Sequence, residues 1–332
     1  MNNPKISIII PTYNVADFLL QCLNSVAKQT YKNIEVIVII DGATDGSFKI
    51  AKDFCRNDDR FSVYWQDNAG SGPARNNGLD RATGEYIMFV DPDDWCQKDY
   101  VENMLRLQQQ ENYDLVTVSE TTIYFNKHGK IKKVRPPHFH GMRFYGKQQV
   151  HDNYLTLFEE GAIQAPHCRI YKANIIKKNN VRFPDLRRSQ DIVFNYRYYN
   201  FAESVLVTNN SGYMYRVLSK ERAKRIKPDY YKTIKLIYND LNLLHEEWHS
   251  TFDKNIVCTI LYGMVYPLFE SNIMRGNDIK YIAMDTTIRE ILENSRPTKQ
   301  HLSMVRKFVL QGHYGLATII IKMVFFLKMI IQ

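Results

Sequence analysis

Three aspartates stand within four residues of one another in the segment YIMFVDPDDW, where Asp91, Asp93 and Asp94 follow an apolar run. The β-branched and aromatic residues from Tyr86 to Val90 predict a buried strand that ends at this cluster. Carboxylates this close repel one another, and either a hard divalent cation or full exposure to water would relieve the repulsion. The pattern therefore leaves two interpretations open, a metal site and an acidic turn.

Apolar runs alternate with helix-like segments in the first hundred residues. Strands are predicted over 6–10, 34–40, 61–65 and 86–90, and helices over 15–29, 46–56 and 71–82. Continuous Ile and Val runs are typical of parallel strands that are covered by helices on both faces. The predicted fold class is α/β, with a mainly parallel, Rossmann-like sheet flanked by helices and followed by a C-terminal helical extension.

Polar segments follow three of the predicted strands, and they read PTYN, DGATDGS and DPDD. Ligands of open parallel sheets bind beyond the carboxyl ends of the strands, so these segments are expected to share one crevice. Tyr13 offers a ring on which a base could stack, and the alternative is a ring that packs in the core. The Asp41 carboxylate could accept a hydrogen bond from a base or a ribose. The alternative is that Asp41 belongs to a turn that caps the next helix. Glycines around Arg75 would let the backbone approach a ligand while the guanidinium binds a carboxylate or diphosphate.

The segments ISIIIPTYN, NIEVIVIIDGATDGS and NAGSGPARNNGLDRATGEYIMFVDPDDW, in this order, resemble glycosyltransferase family 2, the inverting enzymes of the GT-A fold. The resemblance is tightest in the first hundred residues and continues more loosely to the segment GYMYRV. It implies that the segment after the first strand and Asp41 hold uracil or another base, and that Arg75 steadies the nucleotide site. The donor-binding residues implied in this way are Pro11, Thr12, Tyr13, Asp41, Arg75 and Asp91.

The same resemblance implies a divalent metal, Mn²⁺ or Mg²⁺, that bridges the donor diphosphate. Asp93 is its expected direct ligand, with Asp91 and Asp94 in support. Metal and diphosphate together would neutralise the aspartate cluster, and the metal would stabilise charge that develops on the leaving nucleoside diphosphate.

The resemblance also assigns the general base that deprotonates the acceptor hydroxyl, which is Asp191 in RRSQDIVF. Gln190 stands where the family commonly has a Glu, which puts the role of that neighbour in doubt. The alternative for Asp191 is a residue at a helix N-terminus that pairs with Arg187 or Arg188. Near these segments, His167 is interpreted as packing, and so is Trp95.

The formal charge of +9 is unevenly distributed, because residues 169–235 contain 16 Lys and Arg against 5 Asp and Glu. Such a patch attracts phosphates on nucleic acid, anionic lipid or a diphosphate substrate, or it is a solvated basic face. No nucleic-acid motif is recognised, so no nucleic-acid partner is expected. The five cysteines have no CxxC spacing and the N-terminus has no basic leader, so a cytoplasmic protein with free thiols is expected.

Apolar residues at three- and four-residue spacing predict helices over 229–248, 255–269 and 278–294. The last apolar stretch, from Leu316 to Ile331, is interrupted by Lys322 and Lys328. As a helix it would extend about 24 Å, short of the roughly 30 Å hydrocarbon core, so a spanning helix is disfavoured. A helix lying in the interface of an anionic membrane is expected, with a closing core helix or a dimerisation helix as the alternatives.

These observations predict a GT-A catalytic domain over 1–228, with a nucleotide-sugar half (1–118) and an acceptor half (119–228), and a helical region over 229–332. The expected activity is metal-dependent, inverting hexosyl transfer from a nucleotide-diphosphate sugar, with UDP as the expected nucleotide. The expected acceptor is a glycan or lipid-linked saccharide in bacterial surface polysaccharide synthesis, at the inner face of the cell membrane. A nucleotidyltransferase and a non-catalytic glycan- or lipid-binding protein on the same fold are the alternatives.

Overall fold

The computed structural model describes residues 3–186, 189–218, 230–248 and 254–331. The chain divides into two compact units, Met1–Ser219 and Lys220–Gln332. The predicted boundary between residues 228 and 229 lies outside the described residues. In the part of the chain that is described, both sheets belong to the first unit, and the second unit is helical.

The larger sheet of the first unit has eight strands among the described residues. From one edge to the other they are β3 (Phe61–Gln66), β2 (Ile34–Asp41), β1 (Ile6–Thr12), β4 (Tyr86–Phe89), β10 (Arg169–Lys172), β6 (Leu115–Val118), β11 (Ser204–Thr208) and β9 (Met142–Tyr145). The strands β3, β2, β1 and β4 pair in parallel, as do β6 and β11. The strand β10 is antiparallel to both of its neighbours, and β9 is antiparallel to β11. The predicted α/β class with a mainly parallel sheet is confirmed.

The centre of this sheet explains why its strands are so apolar. Every residue of β1 is buried, and so is every residue of β2 except Glu35. The register pairs Thr12 with Ile40 and Ile9 with Phe89, so the carboxyl ends of β1, β2 and β4 reach the same edge of the sheet. The segments that carry the candidate donor-binding residues therefore leave the sheet side by side.

A smaller sheet was not predicted from the sequence. Its strands, in spatial order, are β5 (Trp95–Cys96), β12 (Tyr213–Leu218), β7 (Thr121–Phe125) and β8 (Ile131–Arg135). The strand β12 is antiparallel to β5 and parallel to β7, while β7 and β8 form an antiparallel pair. Because β5 begins directly after Asp94, this sheet brings β12 next to the aspartate cluster.

Helices of the first unit position two charged residues of interest. They are α1 (Ala16–Ala27), α2 (Ser47–Cys55), α3 (Ser71–Arg81), α4 (Tyr100–Gln109), α5 (Lys147–Asp152), α6 (Tyr154–Glu159), α7 (Ala173–Lys178) and α8 (Gln190–Tyr199). The helix α3 carries Arg75, and α8 carries Asp191 in its first turn. The helix α3 packs on β1 so closely that a Cβ atom at Gly78 would overlap the Ile9 side chain.

The second unit consists of helices in its described part. They are α9 (Tyr230–Trp248), α10 (Lys254–Met274), α11 (Lys280–Ala283), α12 (Thr286–Asn294), α13 (Gln300–Leu310) and α14 (Tyr314–Ile331). The prediction of a single helix over 278–294 is wrong, because the chain there forms two helices, α11 and α12. The Asp285 carboxylate accepts hydrogen bonds from the backbone N–H groups of Thr287 (3.0 Å) and Ile288 (3.2 Å). Such an N-cap begins a new helix.

Among the described residues, α10 is the one helix that is long and apolar enough to cross a membrane by length and composition alone. It has 21 residues and a mean hydropathy of 1.3, but 61% of its apolar window is buried inside the fold. The core helix of a water-soluble unit meets the same criteria. The burial of α10 therefore favours a core helix.

Candidate active site

A buried arginine joins two aspartates that lie far apart in the sequence. The Arg75 guanidinium donates through Nη2 to Asp91 Oδ1 (2.8 Å) and through Nη1 to Asp191 Oδ1 (2.9 Å). Its Cζ atom lies 5.4 Å from the centroid of the Phe183 ring, and the side chain is almost fully buried. Arg75 therefore contacts the aspartate after β4 and the aspartate at the start of α8 at the same time.

The two aspartates experience opposite electrostatic environments. Burial raises the pKa of Asp191 above its usual range, although the nearby Arg75 charge opposes the shift. For Asp91, burial also raises the pKa, but the charges of Arg75 and His167 outweigh it and hold the pKa well below the usual range. Carboxyl groups whose pKa values are pushed apart are suited to different roles, one as a fixed anion and one as a proton acceptor. The Asp191 side chain is 27% exposed, so a substrate hydroxyl can reach it.

His167 belongs to this cluster, which corrects its interpretation as packing. Its Nδ1 atom lies 3.2 Å from Asp91 Oδ2, and because Asp91 stays ionised the imidazole N–H must be the donor. The ring also stacks on Tyr213, with centroids 4.8 Å apart. Burial lowers the pKa of His167, but the hydrogen bond and charge of Asp91 outweigh it, and the pKa is raised. An imidazolium at this position adds a second cation beside Asp91.

Asp94 connects the aspartate turn to β12. It is fully buried, and its carboxylate accepts from the Tyr213 hydroxyl (2.8 Å) and from the Arg216 backbone N–H (2.7 Å). The Tyr213 hydroxyl also accepts from the Asp91 backbone N–H at 3.0 Å. The Arg216 side chain donates through Nε to the Asp93 carbonyl oxygen (2.6 Å). The segment DPDD is thus fixed by Tyr213 and Arg216 of the smaller sheet, for which the sequence predicted no individual role.

The cluster has the donor atoms that a divalent cation requires. The ligand atoms of Asp91, Asp94 and His167 lie within 4.8 Å of one another. Asp93, the predicted direct ligand, is outside this group, and no side chain of the described residues donates a hydrogen bond to its carboxylate. Burial, and next the charge of Asp91, raise the pKa values of Asp93 and Asp94. A cation would relieve both effects, so the residues present fit a divalent metal.

The residues predicted to hold a base leave β1 and β2 next to one another. Asp41 is buried, and its carboxylate accepts from Gln66 Nε2, from the Ala69 N–H and from the Gly70 N–H, each at 2.8 Å. These bonds orient the loop before α3. The Tyr13 ring is 50% exposed, so one of its faces can receive a ligand.

Pro11 and Thr12 lie in the last part of β1 with their side chains buried. The Thr12 hydroxyl donates to the Ile10 carbonyl oxygen at 3.3 Å. A ligand at this edge of the sheet would therefore meet the backbone of these two residues. Their predicted roles in donor binding stay predictions.

Gln190, which replaces the family's Glu, connects α8 to the beginning of α3. It is buried, and its Nε2 atom donates to Ser71 Oγ at 2.5 Å. Ser71 is the first residue of the helix that carries Arg75. Gln190 therefore helps to set the position of its neighbour Asp191 relative to Arg75. The alternative partners of Asp191, Arg187 and Arg188, lie outside the described residues.

Comparison with known proteins agrees with this arrangement. A family model described as glycosyl transferase family 2 matches residues 7–179, just over half of the chain. The chain is 36% identical over 229 residues to glycosyltransferase GlyA of Streptococcus pneumoniae, covering 64% of this chain and 30% of GlyA. It is 33% identical over 221 residues to glycosyltransferase EpsH of Bacillus subtilis, covering 65% of this chain and 62% of EpsH. The match thus spans less than two thirds of either relative.

A solved structure shares the fold. The crystal structure of S. aureus TarS 1-349 in complex with UDP-GlcNAc superposes with a TM-score of 0.63 at 19% identity, covering 96% of this chain and 90% of TarS 1-349. At this identity the likeness concerns the fold, which is the mixed α/β architecture with a helical C-terminal region that the sequence predicted. On the match to the family model, the chain belongs to glycosyltransferase family 2.

Proposed function

We propose that the protein is a metal-dependent inverting glycosyltransferase that transfers a sugar from a UDP-sugar to a glycan or lipid-linked acceptor. One observation carries the proposal: Arg75 holds Asp91 and Asp191 side by side at the carboxyl edge of the parallel strands. In open α/β sheets this edge is where ligands bind. A donor-side carboxylate and a candidate base thereby lie on either side of one guanidinium.

The donor half of the proposal is supported by the geometry of the segments that follow β1 and β2. The exposed Tyr13 ring can stack on a base, and the Asp41 carboxylate, already fixed by three donors, can accept from a further N–H of the base. TarS 1-349 is a structure with UDP-GlcNAc, which supports a UDP-sugar as the donor. Asp91 would then lie near the ribose or the donor sugar.

Asp93 would hold Mn²⁺ or Mg²⁺, with Asp91 and Asp94 in support. When bound, the metal would neutralise the diphosphate and stabilise the charge on the leaving nucleoside diphosphate. The protein's own contribution is to keep these carboxylates converged. Tyr213 and Arg216 do so by bonding the Asp94 carboxylate.

Asp191 is the proposed general base. It would accept the proton of the acceptor hydroxyl while that oxygen forms a bond to the anomeric carbon of the donor sugar. The bond from this carbon to the diphosphate oxygen breaks on the opposite face, so the anomeric configuration inverts. Arg75 acts through Asp191, because its contact fixes the direction in which the carboxylate points.

The proposed setting is bacterial surface polysaccharide synthesis at the cytoplasmic side of the cell membrane. The similar proteins GlyA and EpsH come from bacteria and are named glycosyltransferases, which supports this setting. The acceptor would be a growing glycan, free or attached to a lipid.

The first experiment is a calorimetric titration of UDP into the purified protein, once with Mn²⁺ and once with EDTA. We expect binding that requires the metal and that weakens at least about tenfold in Asp93→Asn, since a carboxylate ligand is lost. An exposed aspartate of the same unit serves as control, so Asp80→Asn should bind UDP as the wild type does. Absence of UDP binding with and without Mn²⁺ would contradict the proposal, and GDP and dTDP would then be tested.

A further inference from the structure

The outward face of α14 exposes large apolar side chains. Five of them, which we call the α14 stripe, are 47% to 59% exposed: Leu316, Ile319, Met323, Phe326 and Leu327. With 3.6 residues per turn, these positions fall within about 100° of arc on one side of the helix. The opposite side is packed inside the second unit, where Ala317 and Ile321 are fully buried against neighbouring helices that include α10 and α13. The helix therefore has two apolar faces, of which one is covered.

All of the charged side chains in the sequence around the stripe are positive. Glu293 is the last acidic residue of the chain, and residues 294–332 contain six cations: Arg296, Lys299, Arg306, Lys307, Lys322 and Lys328. Three of the lysines, Lys299, Lys307 and Lys322, are exposed. No described residue places a carboxylate within ion-pairing distance of any of these three. The ammonium groups of these three lysines are therefore unpaired within the described structure.

The packing and the charge of α14 argue against two other roles for the stripe. One face of α14, which includes the fully buried Ala317 and Ile321, is already packed inside the unit. The element therefore does not fit a spanning helix. A second copy of the chain that covered the stripe symmetrically would bring the same cationic segment against itself, and like charges repel.

We propose that the α14 stripe, together with the exposed Lys299, Lys307 and Lys322, binds the surface of an anionic membrane, with α14 lying in the plane of the headgroups. Apolar side chains would enter the boundary of the acyl chains, and Lys322, at the border of the stripe, would extend its ammonium group to lipid phosphates. Cations near a negatively charged leaflet are attracted to it within a Debye length. This inference does not depend on the proposed sugar transfer, because it rests on the second unit alone.

The test is co-sedimentation of the purified full chain with vesicles of phosphatidylcholine, with and without about a third of phosphatidylglycerol. We expect the partition coefficient to be roughly a hundredfold higher with the anionic lipid, as three lysines near the surface would give. The double variant Ile319→Gln/Met323→Gln should lose at least about tenfold of this binding, because less apolar surface enters the lipid. The variant Lys299→Gln/Lys307→Gln/Lys322→Gln should lose the preference for anionic lipid.

The matched control is Leu243→Gln/Met284→Gln, which removes two equally exposed apolar side chains of the same unit (64% and 59%). It should bind vesicles as the wild type does. Circular dichroism and UDP titration of every variant separate a loss of lipid binding from a loss of folding. Equal binding to both vesicle types, or unchanged binding of the stripe variant, would overturn the proposal. A dimer that becomes a monomer in the stripe variant, seen by light scattering, would assign the stripe to a second copy.

Discussion

Charged side chains are used in opposite ways in the two units of the chain. In the first unit, Arg75 is buried and donates to two carboxylates, so its position is fixed by its partners. In the second unit, the exposed Lys307 and Lys322 have no carboxylate partner among the described residues. Breaking a buried pair leaves an uncompensated charge, whereas an exposed lysine is free to attract a distant anion. The first arrangement suits a catalytic site, where side chains must be held in fixed positions. The second suits association with an anionic surface.

The largest effect should come from removing the proposed base. The change Asp191→Asn keeps the size of the side chain but removes its ability to accept a proton, so the transfer rate should fall by about 10² to 10⁴. UDP binding should be retained, since Asp191 is outside the predicted donor-binding set. Turnover is measured with the UDP-sugar that the titrations identify. Asp185→Asn, at an exposed position shortly before α8, is the control and should keep the wild-type rate.

The contrast between buried and exposed pairs is tested by removing the arginine. Arg75→Gln leaves Asp91 and Asp191 without their shared cation, and the free energy of unfolding should fall by about 3–5 kcal/mol. Arg182 pairs with Asp80 at the surface, so Arg182→Gln should cost less than about 1 kcal/mol. Urea unfolding measures both. Equal losses of unfolding free energy in the two variants would show that burial does not change the contribution of an ion pair to the stability of this protein.

The pH dependence of the rate sharpens the assignment of Asp191. Burial raises its pKa, and only the ionised carboxylate can accept a proton, so activity should be lost as the pH falls through this raised pKa. The apparent pKa of the acidic limb in the pH profile of kcat/KM should therefore lie above the ordinary aspartate value of about 3.9. A rate that stays constant down to that value would argue against Asp191 as the base.

The smallest effect is expected in the second unit. Asp285 caps α12 and pairs with Lys235 at 2.6 Å, in a part-exposed position. Asp285→Ala should lower the free energy of unfolding of this unit by about 1 kcal/mol, the usual value of an N-cap. The measurement is thermal unfolding followed by circular dichroism, with Asp278→Ala, in the loop before α11, for comparison. A loss as large as that of Arg75→Gln would remove the difference between the units.

The sequence was most informative where burial is complete. The strands β1 to β4 were predicted because continuous Ile and Val runs have few other interpretations. The smaller sheet was missed, since β5 has two residues and pairs with β12, which lies far along the chain. The division of 278–294 into two helices was also missed. There the capping bonds of Asp285 ended a periodic pattern that would otherwise have continued.

The sequence pointed to the aspartates of the candidate site, but it gave His167 no role beyond packing. The register of β10 against β4 pairs Tyr171 with Ile87 in antiparallel order. Extended by four residues on each strand, this register places His167 opposite Asp91. Nothing in the segment HCRIYK shows that the following strand runs antiparallel. Only the paired strands reveal that this histidine faces the aspartate cluster.

The helix α3 reads SGPARNNGLDR, a poor helix former with glycines at positions 72 and 78. Each interior glycine costs about 1 kcal/mol relative to alanine, so α3 has little stability of its own and depends on its packing against β1. The close approach at Gly78, one turn after Arg75, is part of that packing. The backbone amides of α3 should then exchange with deuterium only when the sheet itself opens. The contact of Arg75 with Asp91 and Asp191 would then form and break together with the core of its unit, as one cooperative element.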